Sequence, residues 1–192
     1  MLDRDAALET AFPGPVTLRR LSSADAVAFA EHIAQDLQRL GEYLPWPAQA
    51  ATAEGAERWL GAYERREDGR VLAAGAWSAP RLIGGAVLFH HDAKQANIEI
   101  GCWVVAAGEG YGVAFAACRA LLAIAREDLE VERVEWRAVT VNRRSRELAE
   151  RLRFGHEGTL RSNYLVDGTR YDTDILSLVG VEIDQAIAKR PG

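Results

Sequence analysis

The sequence predicts one α/β domain of α+β character, built on a single mixed and mostly antiparallel sheet of six to seven strands flanked by about four helices. Three observations carry that expectation. Strand-like and helix-like periods alternate along the chain in the order β-α-α-β-β-β-α-β-α-β-β. Two strand pairs are joined by short turns, Ser78-Ala79-Pro80-Arg81 and Asp167-Gly168, which makes those neighbours antiparallel. The 192 residues, 48% hydrophobic and 27% charged, suit one core and are short for two. No repeat, low-complexity stretch or linker divides the chain. Residues 1–15 read as a lead-in, 16–180 as the domain and 181–192 as a tail.

Pro13, Gly14 and Pro15 break the lead-in, and Val16 to Leu21 alternates as a first strand. Ser22 or Ser23 then reads as the N-cap of a helix to about Leu40, with Val27, Phe29, Ile33, Leu37 and Leu40 mainly on one side. Gly41 to Pro47 (GEYLPWP) stops it. Its Tyr43, Leu44 and Trp46, stiffened by two prolines, suit either a pocket wall or a staple between helices. Thr52 caps a second helix from Ala53 to about Arg66, and Glu67 to Arg70 turns the chain. Val71–Trp77 and Leu82–His90 form a hairpin, and Ile98–Val105 is the next strand. A long helix runs from Gly110 to about Asp128, followed by the strand Arg133–Val141. Asn142 opens a short helix to Arg153, stopped at Phe154-Gly155. His156–Val166 and Thr169–Val179 complete the strands, and the tail has the makings of a short helix.

Composition excludes several classes. A formal net charge of −5 argues against a general nucleic-acid coat. Cys102 and Cys118 sit in no CxxC or CxxH pattern, so neither a disulfide framework nor a metal site is expected, and a reducing cytoplasm fits. The opening residues lack a basic, then apolar, leader, and no apolar run reaches the roughly 18 residues of a membrane span.

The chemistry gathers at residues 96–125, where an apolar strand meets the glycine cluster Gly108, Gly110 and Gly112 and then a long helix. A helix start leaves its first N–H groups unpaired at the positive end of the dipole, which suits a phosphorylated ligand. A Walker loop would end in GK[ST], which is absent. A Rossmann fingerprint would place a third glycine where Val113 or Phe115 stands. An acyl-CoA diphosphate loop, and glycines serving only close packing, both remain open.

Four separated blocks then decide: LPWP (Leu44–Pro47), IEIGCWV (Ile98–Val104), GEGYG, and VNRRSRELAERLRFGHEG (Val141–Gly158). In this order they resemble the GNAT acetyltransferase superfamily, and within it the RimJ/RimL-like branch, from about Val16 to Val179. The last block is the most specific, with N-x-x-S opening a helix that ends in F-G and is followed by E-G.

The resemblance implies a fold in which the strand at Ile98–Val105 splays from Arg133–Val141. The pantetheine arm of acetyl-CoA would lie between them on backbone groups of Trp103, Val104 and Val105. Its diphosphate would sit on the amides of Gly108, Gly110, Tyr111, Gly112, Val113 and Ala114. Relatives commonly carry Arg or Gln at the position of Ala107, and Glu109 adds a negative charge, so CoA binding is expected to be weaker or to draw on another basic residue. Asn142 would hold the pantetheine arm and Ser145 would protonate the departing thiolate; the plain alternative is a helix cap and a surface serine.

Strand alternation puts Glu99 with Gly101, Trp103 and Val105 on one face and Ile98, Ile100, Cys102 and Val104 on the other. A carboxylate inside so apolar a strand is costly unless paired or used. By resemblance Glu99 is the base that takes a proton from the amine; an ion pair with Arg137 is the alternative. His90 and His91 rank second as bases. Tyr43, Leu44, Trp46 and Tyr164 are expected to wall the acceptor. The implied activity is direct acetyl transfer from acetyl-CoA to a primary amine, a protein N-terminus or a small molecule, without a metal and in the cytoplasm. A homodimer is the candidate assembly, with neither membrane nor nucleic-acid partner. Another short acyl-CoA such as succinyl-CoA, or a CoA-binding sensor with weak catalysis, is the alternative.

Overall fold

A computed structural model describes residues 5–189. Its strands are β1 (Ala6–Leu8), β2 (Val16–Arg20), β3 (Leu72–Ser78), β4 (Arg81–Asp92), β5 (Asn97–Val104), β6 (Arg133–Val139), β7 (Gly155–Val166) and β8 (Thr169–Val179). They form one sheet in the order β1-β2-β3-β4-β5-β6-β8-β7. The helices are α1 (Ala26–Gln35), α2 (Leu37–Gly41), α3 (Pro47–Ala50), α4 (Ala53–Glu64), α5 (Val113–Glu127), α6 (Arg143–Arg151) and α7 (Val181–Ala188).

The sheet buries both faces. On one, Ile98 and Ile100 of β5, Trp136 of β6 and Leu176 of β8 pack with Phe115, Leu121 and Leu122 of α5. On the other, Trp103 packs with Phe29 and Ile33 of α1 and with Leu60 and Tyr63 of α4. The alternation read in β5 is therefore the alternation observed.

Three local expectations change. The lead-in is not loose throughout: Ala6–Leu8 pairs antiparallel with Val16–Leu18 and adds an eighth strand. The first helix does not run to Leu40. It breaks at Asp36 (φ −133°) because the Asp36 carboxylate is recruited elsewhere, accepting bonds from Arg39 (Nε, 2.8 Å) and from the Ala106 amide (2.8 Å). Val27, assigned to the apolar side, is 62% exposed.

Thr52 caps α4 as read, its hydroxyl accepting from the Gly55 amide at 3.1 Å. Thr52→Ala should cost about 1 kcal/mol, measured as a lowered midpoint in chemical denaturation.

One feature of the sheet positions the site. All strand pairs are antiparallel except β5 with β6, which run parallel and pair only at Asn97↔Arg133, Ile98↔Val134 and Glu99↔Glu135. Beyond Glu99 both strands continue, to Val104 and Val139, without pairing. The sheet is split there.

Candidate active site

The split leaves backbone groups of β5 facing a gap. Val105 N–H donates to the Ile83 carbonyl at 3.3 Å, so Val105 is committed to β4. By the two-residue period of an antiparallel ladder, Trp103 faces β4 as well. The groups turned to the gap are those of Val104 and Cys102, and the Val104 carbonyl accepts a bond from the Arg39 guanidinium. Of the three residues named for backbone contacts, Val104 keeps that geometry; Trp103 and Val105 do not, because β4 holds them. Trp103 serves the core instead: its indole donates to His32 Nε2 at 3.1 Å. Burial pushes His32 down to about 4, so the ring stays neutral and able to accept.

The glycine loop divides into two jobs. Gly108 donates to the Val105 carbonyl at 2.8 Å, and a Cβ on it would stand 2.7 Å from the Ile83 carbonyl oxygen. Its amide is spent inside the turn, and its lack of a side chain serves packing. Gly110 (φ +78°) and Gly112 (φ +75°) adopt left-handed backbone in open space, which turns the chain into α5. Gly112 is the N-cap, so the first-turn amides of Val113 and Ala114 have no partner within the helix. The Tyr111 ring packs edge-on against Phe12 at 5.2 Å, and its carbonyl accepts from Ala11 at 2.9 Å, so the lead-in braces the loop.

Glu109 is not a bare negative charge. Arg39 of α2 bonds to it, and Arg144 of α6 reaches it at 2.7 Å. Arg39 also grips Asp36 and the Val104 carbonyl. Two guanidinium groups thus stand at the loop where Ala107 supplies none. The Asp36 carboxylate is held below its usual range, first by its bond from Arg39.

Beside the split lies a cavity of about 360 Å³ lined by Glu99, Ser145 and Cys102 together with aromatic rings. Leu44, Trp46 and Tyr164 belong to its wall; Tyr43 lies outside it, edge-on to Tyr171 at 6.1 Å. Trp46 stacks on Trp59 at 4.8 Å and meets Trp103 at 5.7 Å, so GEYLPWP walls the pocket and staples the helices at once. Glu99 is 9% exposed. Its Oε2 lies 3.0 Å from His90 Nδ1 and 3.4 Å from Arg137 Nε. Burial pushes its pKa up, against the opposing pull of His90 and Arg137. The ion pair weighed as an alternative is therefore present, and desolvation outweighs it.

Asn142 caps α6, its Oδ1 accepting from the Ser145 amide at 3.1 Å, which leaves the side-chain NH₂ free to donate. The Trp136 indole donates to Ser145 Oγ at 3.0 Å. An indole can only donate, so Ser145 accepts there and keeps its own proton for another partner. The sequence reading missed Arg39, Asp36 and Arg144, whose contacts with Val104, Ala106 and Glu109 join residues distant in the chain, and Tyr63, which lines the cavity from α4. Among the described residues no group of three or more His, Cys, Asp or Glu is placed to hold a metal.

Residues 16–155 match the family model described as an acetyltransferase (GNAT) domain. YdaF of Bacillus subtilis (strain 168), named as a proposed ribosomal N-acetyltransferase, is 34% identical over 166 residues, covering 85% of this chain and 91% of YdaF. A crystal structure described as a probable acetyltransferase is 33% identical, with a TM-score of 0.77 over 85% of this chain and 92% of that one. Mycobacterium smegmatis RimJ, solved with CoA-disulfide, superposes with a TM-score of 0.82 at 23% identity, covering 94% and 89% of the two chains.

Proposed function

The chain belongs to the GNAT acetyltransferase family, and from that premise we propose that it transfers the acetyl group of acetyl-CoA directly to a primary amine. The observation that carries this is the split between β5 and β6, with Glu99 and Ser145 lining the cavity beside it. Acetyl-CoA supplies an activated acetyl group. The residues that would hold it are Val104 and Cys102 through their backbone, Asn142 through its amide, and Gly110 to Ala114 at the start of α5, with Arg39 and Arg144 as the nearby cations. Glu99 takes the proton of the incoming ammonium, since a protonated amine is no nucleophile. Ser145 delivers its hydroxyl proton to the departing sulfur. We read the transfer as direct rather than through Cys102, whose side chain packs against the core that holds the buried Cys118.

The name of YdaF makes a ribosomal-protein amine the first acceptor to try, which would place the enzyme in the cytoplasm. Calorimetry with acetyl-CoA, run beside thiol release on ribosomal N-terminal peptides and small amines, tests the reading. Acceptor-dependent thiol release supports it. Tight binding with no turnover on any amine would favour a CoA sensor, and absence of binding would overturn both.

Ser145→Ala should lower kcat about 10²-fold, the usual scale for losing a positioned proton donor, with little change in KM for acetyl-CoA. It should also cost about 1–3 kcal/mol of stability, because the Trp136 N–H, on a residue 2% exposed, loses its acceptor. Steady-state kinetics and denaturant unfolding measure the two effects separately.

A further inference from the structure

A buried base that accepts a proton in every turnover must lose it again before the next. Glu99 has little contact with water of its own, at 9% exposure. The groups that face it are His90 from β4, Arg137 and Glu135 from β6, Tyr63 from α4 and Tyr164 from β7, with Asp68 and Arg70 on the same cavity wall. Arg137 is a permanent cation and cannot take a proton. The Tyr63 and Tyr164 phenols are pushed upward by burial and hold their protons. Glu135 is itself pinned by Arg133 and Arg137. His90 differs from all of these. It contacts Glu99 Oε2 through Nδ1 at 3.0 Å, while its side chain is 65% exposed. An imidazole is also the side chain built to take up and return a proton near neutral pH.

The backbone makes this contact on purpose. Phe89 is the direct cross-strand partner of Glu99, so Phe89 and Glu99 share a face. Regular alternation would send His90 to the opposite face. Instead β4 slips register between Phe89 and Asp92, and His90 takes a left-handed φ of +51°. Bulges of this kind re-aim a side chain, and left-handed backbone at a non-glycine residue gathers at functional sites.

We infer that His90 is the proton exit of the active site, a positioning and relay residue that returns Glu99 to its carboxylate after each transfer. This rests on the reading of Glu99 as the base. The proton that Glu99 took from the ammonium moves from Oε2 to Nδ1, and the ring passes through imidazolium. The exposed ring then gives one proton to water or buffer, Glu99 is again ionised, and the imidazole tautomers re-equilibrate with solvent.

Glutamine at this position can still donate to Glu99 but cannot carry a proton, so His90→Gln separates relay from support. His90→Gln and His90→Ala should each lower kcat about 10-fold or more at low buffer, within the range of a positioned proton-transfer group. KM for the amine should hold, and added imidazole or rising buffer concentration should restore the rate. In the ligand-free protein, the Glu99 carboxyl followed by carbon NMR should titrate at higher pH in His90→Ala than in wild type. A wild-type rate in His90→Gln with no buffer dependence, alongside an inactive Glu99→Gln, would overturn the relay and leave the base intact. An active Glu99→Gln would instead remove the base, and the relay with it.

Discussion

Glu99→Gln is expected to reduce kcat/KM by about 10²- to 10³-fold while leaving the Kd for acetyl-CoA essentially unchanged. The substitution keeps the shape of the side chain and a hydrogen-bonding head beside His90 and Arg137, and removes only the ability to take a proton. Because burial raises the Glu99 pKa above the ordinary 4.5, the acidic limb of the wild-type kcat/KM profile should lie above that value, with activity rising as Glu99 ionises. The sign for stability is opposite. The folded state holds this proton more tightly than the unfolded chain does. The contribution of Glu99 is therefore complete below about 4.5 and is lost as pH rises through the folded value. Glutamine has no such dependence, so the stability of Glu99→Gln relative to wild type should grow with pH across that window. A profile whose acidic limb is the same in both proteins would remove Glu99 from the chemistry.

Arg39→Ala should weaken CoA binding about 10- to 100-fold, the cost of losing one or two charge-assisted bonds of about 1.5–3 kcal/mol each, discounted for partial exposure. Arg39 joins Asp36 of the helix break, the Val104 carbonyl in the gap and Glu109 of the loop. Without it, Glu109 and Asp36 lose the guanidinium that offsets them beside the loop proposed to take the diphosphate. Arg144, 74% exposed, should matter less. The Glu109→Gln change alone should tighten binding or leave it level, and added to Arg39→Ala it should recover part of the loss. That non-additivity, read by calorimetry, marks Glu109 as the charge Arg39 offsets. Additive losses would mean Arg39 acts through the α1–α2 break alone.

Much of this site is legible along the chain because its signals are local. Gly110 and Gly112 announce left-handed turns, Asn142 and Ser145 announce a cap at one-turn spacing, and a lone glutamate between Ile98 and Ile100 announces a buried charge. What escapes are relations no local period encodes. Arg39 and Glu109 are 70 residues apart and meet only because α2 folds over the end of β5. Strand β1 exists because β2 offers an edge, not because Ala6–Leu8 has marked strand character. The contact between His90 and Glu99 is unreadable for a sharper reason, and His90 ranks only second as a base from sequence: the bulge that aims it at Glu99 violates the alternation by which strand faces are read. The same limit applies to Gly108, whose role in packing against Ile83 looks identical in sequence to a role in phosphate contact.

A crystal structure of the protein with CoA tests most directly whether the split between β5 and β6 receives the pantetheine arm. The expected result is the arm between the two strands on the backbone of Val104 and Cys102, the sulfur within hydrogen-bonding reach of Ser145 Oγ, and the diphosphate on the amides of residues 110–114. CoA bound elsewhere, with β5 and β6 left open and Ser145 remote from the sulfur, would contradict it.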